Sequence, residues 1–369
     1  MIRLSKSCIG ELEKEAVLKV LTHEFLGMGE EVKNFENDLS TFFGRSAVCV
    51  VNGTAALQLA LEACDIGDGS EVLVPSITYV ASFQAITATG AKVIACDVDP
   101  KTGFIDINDA KSKISDKTRA IMPVHYNGGV GELEELYKFS EENGLRVIED
   151  AAHAFGTVYK GKKIGGIGDI ACFSFDGIKN ITSGEGGCVV SADEKVLERI
   201  RDSRLLGVEK DTDKRFSGQR SWQFDVKRQG WRYHMSNIMA AIGIEQLKRV
   251  DYFFKKRQDL AKLYDQLLQD EPRINILQRD YDNVVPHIYV ITIQNLKDRD
   301  VLRQKLLDFG IQTGIHYPPN HLLSFYKDES SSKIQNAQVM YDSMLTLPLH
   351  PDLTNENVKL VSKKLMELI

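Results

Sequence analysis

The sequence contains no run approaching the ~20 consecutive apolar residues of a membrane helix, so no spanning segment is predicted. Positive charge is not in excess. The 46 basic and 52 acidic residues leave a formal charge of −6. That balance argues against a dedicated nucleic-acid binder, which carries a basic footprint. A small anionic ligand stays compatible, because a few local cations and helix N-termini suffice to hold one. Cysteines are few and scattered: Cys8, Cys49, Cys64, Cys96, Cys172 and Cys188. Most sit in apolar runs such as AVCVV and DIACFSF, which reads as buried, reduced thiols. No C-x-x-C pair occurs, so no zinc or other metal site is expected. The opening MIRLSKSCIGELEKEAVLKVL lacks the roughly 7–15-residue apolar core of a secretory signal. A cytoplasmic location is therefore expected. No internal repeat and no low-complexity segment is found.

What is present is ordinary globular composition. The chain has 369 residues, 43% hydrophobic and 27% charged, which excludes a disordered or fibrous protein and suggests about two domains. In the first half, short apolar runs alternate with helical stretches. AVCVVN (47–52), EVLVP (71–75), KVIACDV (92–98), AIMPV (120–124) and RVIED (146–150) read as strands. TAALQLALEAC, YVASFQAITATG and ELEELYKFSEENG between them read as helices. GDIACFSFD (168–176) and GCVVSA (187–192) are two further strands, expected near an antiparallel edge. This alternation predicts a mostly parallel sheet covered by helices. The stretch 208–228 reads as a long surface loop or hairpin. From Met235 the pattern is one long helix through DYFFKKRQDLAKLYDQLL. A strand PHIYVITI (286–293), a helix stopped by Gly310 and a terminal amphipathic helix follow. These predict a smaller α+β domain joined to the first by the long helix.

Open α/β sheets bind ligands beyond the carboxyl ends of their strands. Past AVCVV come Asn52, Gly53, Thr54 and Ala55, opening a helix whose N–H groups can face an anion. A plain glycine turn with a threonine cap fits the same residues. Asp150 ends an apolar strand, where a carboxylate needs a partner, and His153 follows three residues later. A helix-capping Asp with an incidental His is the alternative. Ser174 and Lys179 leave the next strand, and the glycine-rich SGEGG (183–187) follows. A lysine against such a turn can be desolvated, which lowers its pKa and makes its amine nucleophilic. Most lysines, however, are solvated surface groups. The set as a whole is informative. Pyridoxal phosphate needs phosphate donors, an acid for its ring nitrogen and a lysine for its aldehyde. Tyr79, just past EVLVPSIT, would then stack on the ring face, or else simply pack.

With these residues in place, the sequence resembles the DegT/DnrJ/EryC1/StrS family of pyridoxal-phosphate-dependent nucleotide-sugar aminotransferases. The resemblance covers nearly the whole chain. It is carried by LGMGEEVKNFE (26–36), VNGTAALQLAL (51–61), VPSITYVAS (74–82), EDAAHAFG (149–156), GDIACFSFDGIKNITSGEGG (168–187), MSNIMAAIGIEQL (235–247), GIHYPP (314–319) and LTLPLHPDLT (345–354). It implies the α/β architecture of fold-type-I transferases. Residues 1–248 would form a large cofactor-binding domain with a mostly parallel seven-stranded sheet, and 249–369 a small α+β domain.

The resemblance also assigns roles. Lys179 matches the lysine that bonds the cofactor aldehyde, and Asp150 the acid on the ring nitrogen; these two are the expected catalytic residues. His153 matches the position bordering the ring hydroxyl. Gly53, Thr54, Ala55 and Ser174 match the phosphate cradle, and Tyr79 the stacking aromatic. His316 and Tyr317 fall in the segment expected near the sugar. One departure stands out. The family often reads G-Y-N-Y-R-M before the long helix, its Asn reaching a neighbouring subunit's cofactor phosphate. Here the segment is Gly230-Trp231-Arg232-Tyr233-His234-Met235. Arg232 can meet that phosphate as a charged, bidentate donor, or instead a substrate pyrophosphate or a surface carboxylate.

The implied reaction is a ping-pong transamination from glutamate to a nucleotide-linked keto-deoxysugar. The amino-sugar product would serve O-antigen, lipopolysaccharide or other glycan assembly. A homodimer with shared active sites is implied, with neither nucleic acid nor membrane as a partner. A sugar dehydratase or lyase using the same Lys179 and Asp150 is one alternative, although relatives that dehydrate carry His in place of the lysine. A non-catalytic sugar-sensing module is another, but it would be expected to lose the lysine or the carboxylate. A dinucleotide oxidoreductase would want G-x-G-x-x-G after its first strand, where this chain has Asn-Gly-Thr-Ala.

Overall fold

A computed structural model describes residues 1–327 and 334–369. Along the chain the elements are α1 (Glu11–Thr22), α2 (Glu30–Phe43), β1 (Ala47–Val50), α3 (Gly53–Ala63), β2 (Glu71–Pro75), α4 (Val80–Ala88) and β3 (Lys92–Cys96). Next come α5 (Ile107–Lys113), β4 (Thr118–Ile121), α6 (Leu133–Glu142), β5 (Arg146–Asp150), a small hairpin β6 (Val158–Tyr159) and β7 (Lys162–Lys163), β8 (Ile170–Ser174) and β9 (Gly187–Ser191). The remainder is α7 (Glu194–Ser203), α8 (Asp211–Phe216), α9 (Asn237–Leu247), α10 (Val250–Leu268), β10 (Ile274–Ile276), β11 (Tyr289–Ile293), α11 (Arg299–Asp308), α12 (Asn336–Ser343), β12 (Met344–Leu347) and α13 (Asn355–Leu368).

Seven strands form one sheet in the order β1-β9-β8-β5-β4-β2-β3. Strands β3, β2, β4, β5 and β8 run parallel, and β9 is antiparallel to both β8 and β1. β1 therefore points the same way as β8. The C-terminal ends of β1, β2, β5 and β8 consequently share one edge, which is where an open α/β sheet places its ligand. The strands are short and apolar because both faces are covered. Successive residues alternate between two cores: Val48, Val72, Val74, Ile148, Ile170 and Cys172 pack with α3, α4 and α7. Cys49, Leu73, Ile121, Val147, Ala171 and Phe173 pack on the other face, with Val32, Phe35, Leu39 and Phe43 of α2. Full burial of each such side chain contributes about 1.5–3 kcal/mol. Gly44, at φ 69°, ends α2 in the left-handed conformation that glycine adopts without strain.

The second sheet, β10-β11-β12, is antiparallel and packs with α10, α11 and α13 around Leu260, Tyr264, Ile291, Leu345 and Val361. The first residues of the chain also run here. Ile2 bridges Ile311, and the Leu349 N–H donates to Leu4 O at 3.1 Å.

The expected single long helix after Met235 is two helices. The break falls at Lys248 and Arg249, where the Arg249 N–H reaches back only three residues, to Gln246 O at 3.0 Å. The Arg249 guanidinium is held by Glu13 at 2.8 Å. α9 packs against α1 and α2, whereas α10 packs against α13, so a straight helix could not serve both. The 208–228 stretch is partly a hairpin, with Val208 bridging Val226, and it carries the short α8 within it.

Candidate active site

A cavity of about 440 Å3 opens at the shared strand edge. Of the residues singled out from sequence, Gly53, Thr54, Tyr79, Asp150, His153, Ser174, Lys179, His316 and Tyr317 line it. Ala55 and Arg232 of this chain do not line it.

The wall built by β1 and α3 is an anion cradle. Asn52 caps α3, its Oδ1 accepting from the Ala55 N–H at 2.8 Å, and its backbone oxygen accepts from Ala56. Ala55's N–H is thereby used within the cap. The N–H groups of Gly53 and Thr54 precede the first intrahelical bond and stay available, at the positive end of the helix. The Ser174 hydroxyl, at the end of β8, stands beside them. A Cβ on Gly53 would come within 2.9 Å of the Ser174 Cβ, so glycine is what lets the helix start and the strand end close together.

Asp150 ends β5 and is buried. Its Oδ2 accepts from Ser82 Oγ at 2.6 Å and its Oδ1 from the Ala152 N–H at 3.1 Å. Ser82 is itself bonded to Thr78 Oγ1 at 2.8 Å. The carboxylate is therefore fixed in orientation without a cation bonded to it. Such an acid is poised to meet a protonated ring nitrogen.

Lys179 follows β8 in a tight turn. Its N–H donates to Asp176 O at 3.1 Å, and the Ile178 N–H donates to Asp176 Oδ1 at 3.2 Å. The amine is partly exposed, toward the cavity. Burial, with a smaller contribution from the Arg257 charge, brings its pKa down to about 8 against the pull of Asp150 and Asp176. Its Nζ lies 3.4 Å from His287 Nε2. His287 packs beside His153, with ring centroids 4.5 Å apart and the planes tilted by 47°.

Burial first, then the Lys179 charge, pushes His153 and His287 well below the usual range and His316 to about 4, which favours the neutral form of these three. His153 Nδ1 accepts from the Asn127 N–H at 3.4 Å, so its proton lies on Nε2 and points at Tyr317 Oη, 3.1 Å away. The Tyr317 hydroxyl proton is then free for a ligand. His316 Nδ1 lies 3.0 Å from Thr346 Oγ1. Tyr79, the residue before α4, is 59% exposed and leaves its ring open to the cavity, 5.6 Å from the Tyr317 ring.

Four participants escaped the sequence reading. Ser82 orients Asp150. Asp176 and Glu185 line the cavity, and burial beside Asp176 raises Glu185. His287 lies just before β11, in a stretch read only for its apolar alternation. Arg232 is paired with Leu205 in an isolated bridge, outside the cavity lining. Its neighbours Trp231 and Tyr233 stack at 5.6 Å and bond to Glu62 and Gln58 of α3.

The donor set matches pyridoxal phosphate: an N–H and hydroxyl cradle, a fixed carboxylate, an open aromatic face and a lysine of lowered basicity line one cavity. Among the described residues no helix is long and apolar enough to cross a membrane. The sequence model of the DegT/DnrJ/EryC1/StrS aminotransferase family matches residues 7–366. The spore coat polysaccharide biosynthesis protein SpsC of Bacillus subtilis is 33% identical over 371 residues, covering 98% of this chain and 95% of that protein. The dTDP-4-dehydro-2,3,6-trideoxy-D-glucose 4-aminotransferase of Saccharopolyspora spinosa is 32% identical over 375 residues, covering 100% and 97%. Among solved structures, Streptococcus pneumoniae Spr1654 in its PMP form superposes with a TM-score of 0.93 at 29% identity, covering 100% of this chain and 99% of that one. Its PLP form gives a TM-score of 0.92 at 28% identity.

Proposed function

The chain belongs to the DegT/DnrJ/EryC1/StrS aminotransferase family and is a pyridoxal-phosphate-dependent sugar aminotransferase; from that premise we propose that it transfers an amino group from glutamate to a nucleotide-linked keto-deoxysugar. The observation that carries this reading is the Lys179 amine, lowered to about 8, in one cavity with Asp150 and the α3 N-terminus. The dTDP-linked substrate in the name of the S. spinosa relative supports a nucleotide-sugar acceptor. The name of SpsC, a spore coat polysaccharide biosynthesis protein, supports a product used in polysaccharide assembly; O-antigen, lipopolysaccharide or another glycan is the proposed destination. The reaction is assigned to the cytoplasm.

In this reading the bound cofactor supplies an aldehyde that exchanges with amines and a ring that accepts electrons. The Gly53 and Thr54 N–H groups and the Thr54 and Ser174 hydroxyls hold its phosphate, with Ala55 closing the cap beneath them. Asp150, kept in orientation by Ser82 and Ala152, bonds the ring nitrogen. Tyr79 covers the ring face, and His153 borders the ring hydroxyl. Lys179 would hold the aldehyde; when the amino donor displaces it, its Nζ would move a proton from the donor's α-carbon to the cofactor carbon that bore the lysine, and in the second half-reaction from that carbon to the sugar carbon that receives the nitrogen. His316 and Tyr317 meet the sugar, with the free Tyr317 proton as a hydrogen-bond donor. Residues 1–248, apart from the first few that pair with the second sheet, would be the cofactor unit, and 249–369 the small C-terminal unit. The same proposal includes a homodimer, which the exposed apolar Leu12, Leu18, Trp222 and Phe224 support. In it Arg232 reaches the phosphate held by the other copy.

The test is spectroscopic. Purified protein loaded with pyridoxal phosphate is expected to show a visible band that glutamate bleaches and a nucleotide-linked keto sugar restores, with an amino sugar formed. Lys179→Ala is expected to cost at least about 10²–10⁴-fold in kcat. A band that glutamate leaves unchanged, or full turnover by Lys179→Ala, would overturn the reading.

A further inference from the structure

Arg257 lies on α10, where the buried residues are Phe253, Arg257, Leu260, Ala261, Tyr264 and Leu268. It therefore occupies a core position of an amphipathic helix and is 1% exposed. A cation in such a place is normally matched by a carboxylate. Here the guanidinium bonds only carbonyl oxygens. Nη1 donates to His287 O at 3.0 Å and Leu349 O at 3.4 Å. Nη2 donates to Ile178 O and Lys179 O, both at 3.5 Å, while Nε has no partner. Among the described residues no carboxylate pairs with it, and burial brings even this guanidinium down to about 10.

Three chain segments meet at this one group. Ile178 and Lys179 belong to the turn that carries the reactive amine. His287 belongs to the lead-in of β11, and its ring faces that amine. Leu349 follows β12. We propose that Arg257 is a positioning residue for Lys179: its carboxylate-free fork ties the Lys179 turn to the segment bearing His287, and so fixes where the amine stands. The planar fork matters, because a lysine at this place has one nitrogen and cannot address both sides.

The charge has a second consequence. The groups facing Lys179 are Asp150 and Asp176, which raise it, and the neutral His153, His287 and His316. Cys8, whose thiol burial pushes up to about 11, and His350, held near 4 by burial and by Arg257, also feel the guanidinium. Among the described residues no acid pairs with the guanidinium, and its charge lowers the amine. The inference rests on Lys179 being the reactive amine of the proposed transamination.

Three variants test it: Arg257→Met removes charge and fork, Arg257→Gln keeps part of the fork without charge, and Arg257→Lys keeps charge without the fork. In the loaded enzyme, Arg257→Met and Arg257→Gln are expected to raise the pH midpoint of the visible band. They are also expected to lower kcat by up to about 10²-fold, the cost of misplacing a reacting group by about 1 Å, with KM little changed. Arg257→Lys is expected to keep the wild-type midpoint and still lose kcat. If Arg257→Met fails to fold, the other two variants decide. A wild-type midpoint in Arg257→Gln, or wild-type kcat in Arg257→Lys, overturns the proposal. Titrating Lys179 in the cofactor-free full chain with an amine-directed reagent reads the same midpoint shift even where no visible band forms. A failure of Arg257 is thereby separated from a failure of the aminotransferase reading.

Discussion

Two buried arginines of this chain show opposite uses of the same side chain. Arg204, just past α7, is fully buried and bonds the Glu36 carboxylate of α2. It also donates to Cys49 O, while Glu36 Oε1 takes the Cys49 N–H at 2.8 Å. Its charge is cancelled where it stands, and the result is a tie between α2, β1 and α7. Arg257 is as deeply buried, yet it meets only carbonyls, and its charge is left standing beside the reactive amine. Burial alone does not tell what a cation does. The partner decides whether its field is spent locally or reaches a neighbour.

The comparison can be broken most sharply at Glu36. Glu36→Gln leaves Arg204 uncompensated and is expected to cost about 3–5 kcal/mol of stability in chemical denaturation. Because that charge does not face Lys179, the pH midpoint of the visible band and the kcat of the folded fraction should stay at wild-type values. A shifted midpoint would mean that the two arginines are not separable.

A smaller effect concerns the amine itself. With its pKa lowered to about 8 from 10.5, the folded chain has released a proton between those values that the unfolded chain still holds. Stability of the cofactor-free protein therefore rises with pH across that window on account of Lys179. Lys179→Met removes this contribution. It is expected to be about 2 kcal/mol more stable than wild type at pH 7, after allowance for the amine's partial exposure. The advantage should fade above pH 10.5. Thermal unfolding at both pH values measures it. The smallest expected effect is at the carboxylate. Ser82→Ala removes one of the two donors that orient Asp150, worth about 1 kcal/mol, or roughly fivefold in kcat. An unchanged kcat would show that Ala152 alone fixes Asp150.

Much of the large sheet was readable because its strands are short apolar runs cut by turns, with EVLVP and RVIED matching β2 and β5 residue for residue. The cavity residues at strand ends were readable for the same reason, since sequence position past a strand converts directly into position at the sheet edge. The break between α9 and α10 was not, because KRVD continues a helical pattern and only the diverging packing partners demand a turn. Ser82 gave no sign of its role, since its bond to Asp150 spans 68 residues. His287 was hidden by the apolar strand it precedes. Arg257 did leave a trace: in FFKKRQ it reads as part of a solvated charge run, but its spacing from Phe253, Leu260 and Tyr264 puts it on the buried stripe.

The most direct test of the central claim, that Lys179 is the amine at which the chemistry turns, is mass mapping. The loaded enzyme is reduced with borohydride, digested, and searched for the cofactor's added mass. The account predicts the label on Lys179, and its disappearance from the digest of Lys179→Ala. A label on another lysine, or none on wild type, would contradict it.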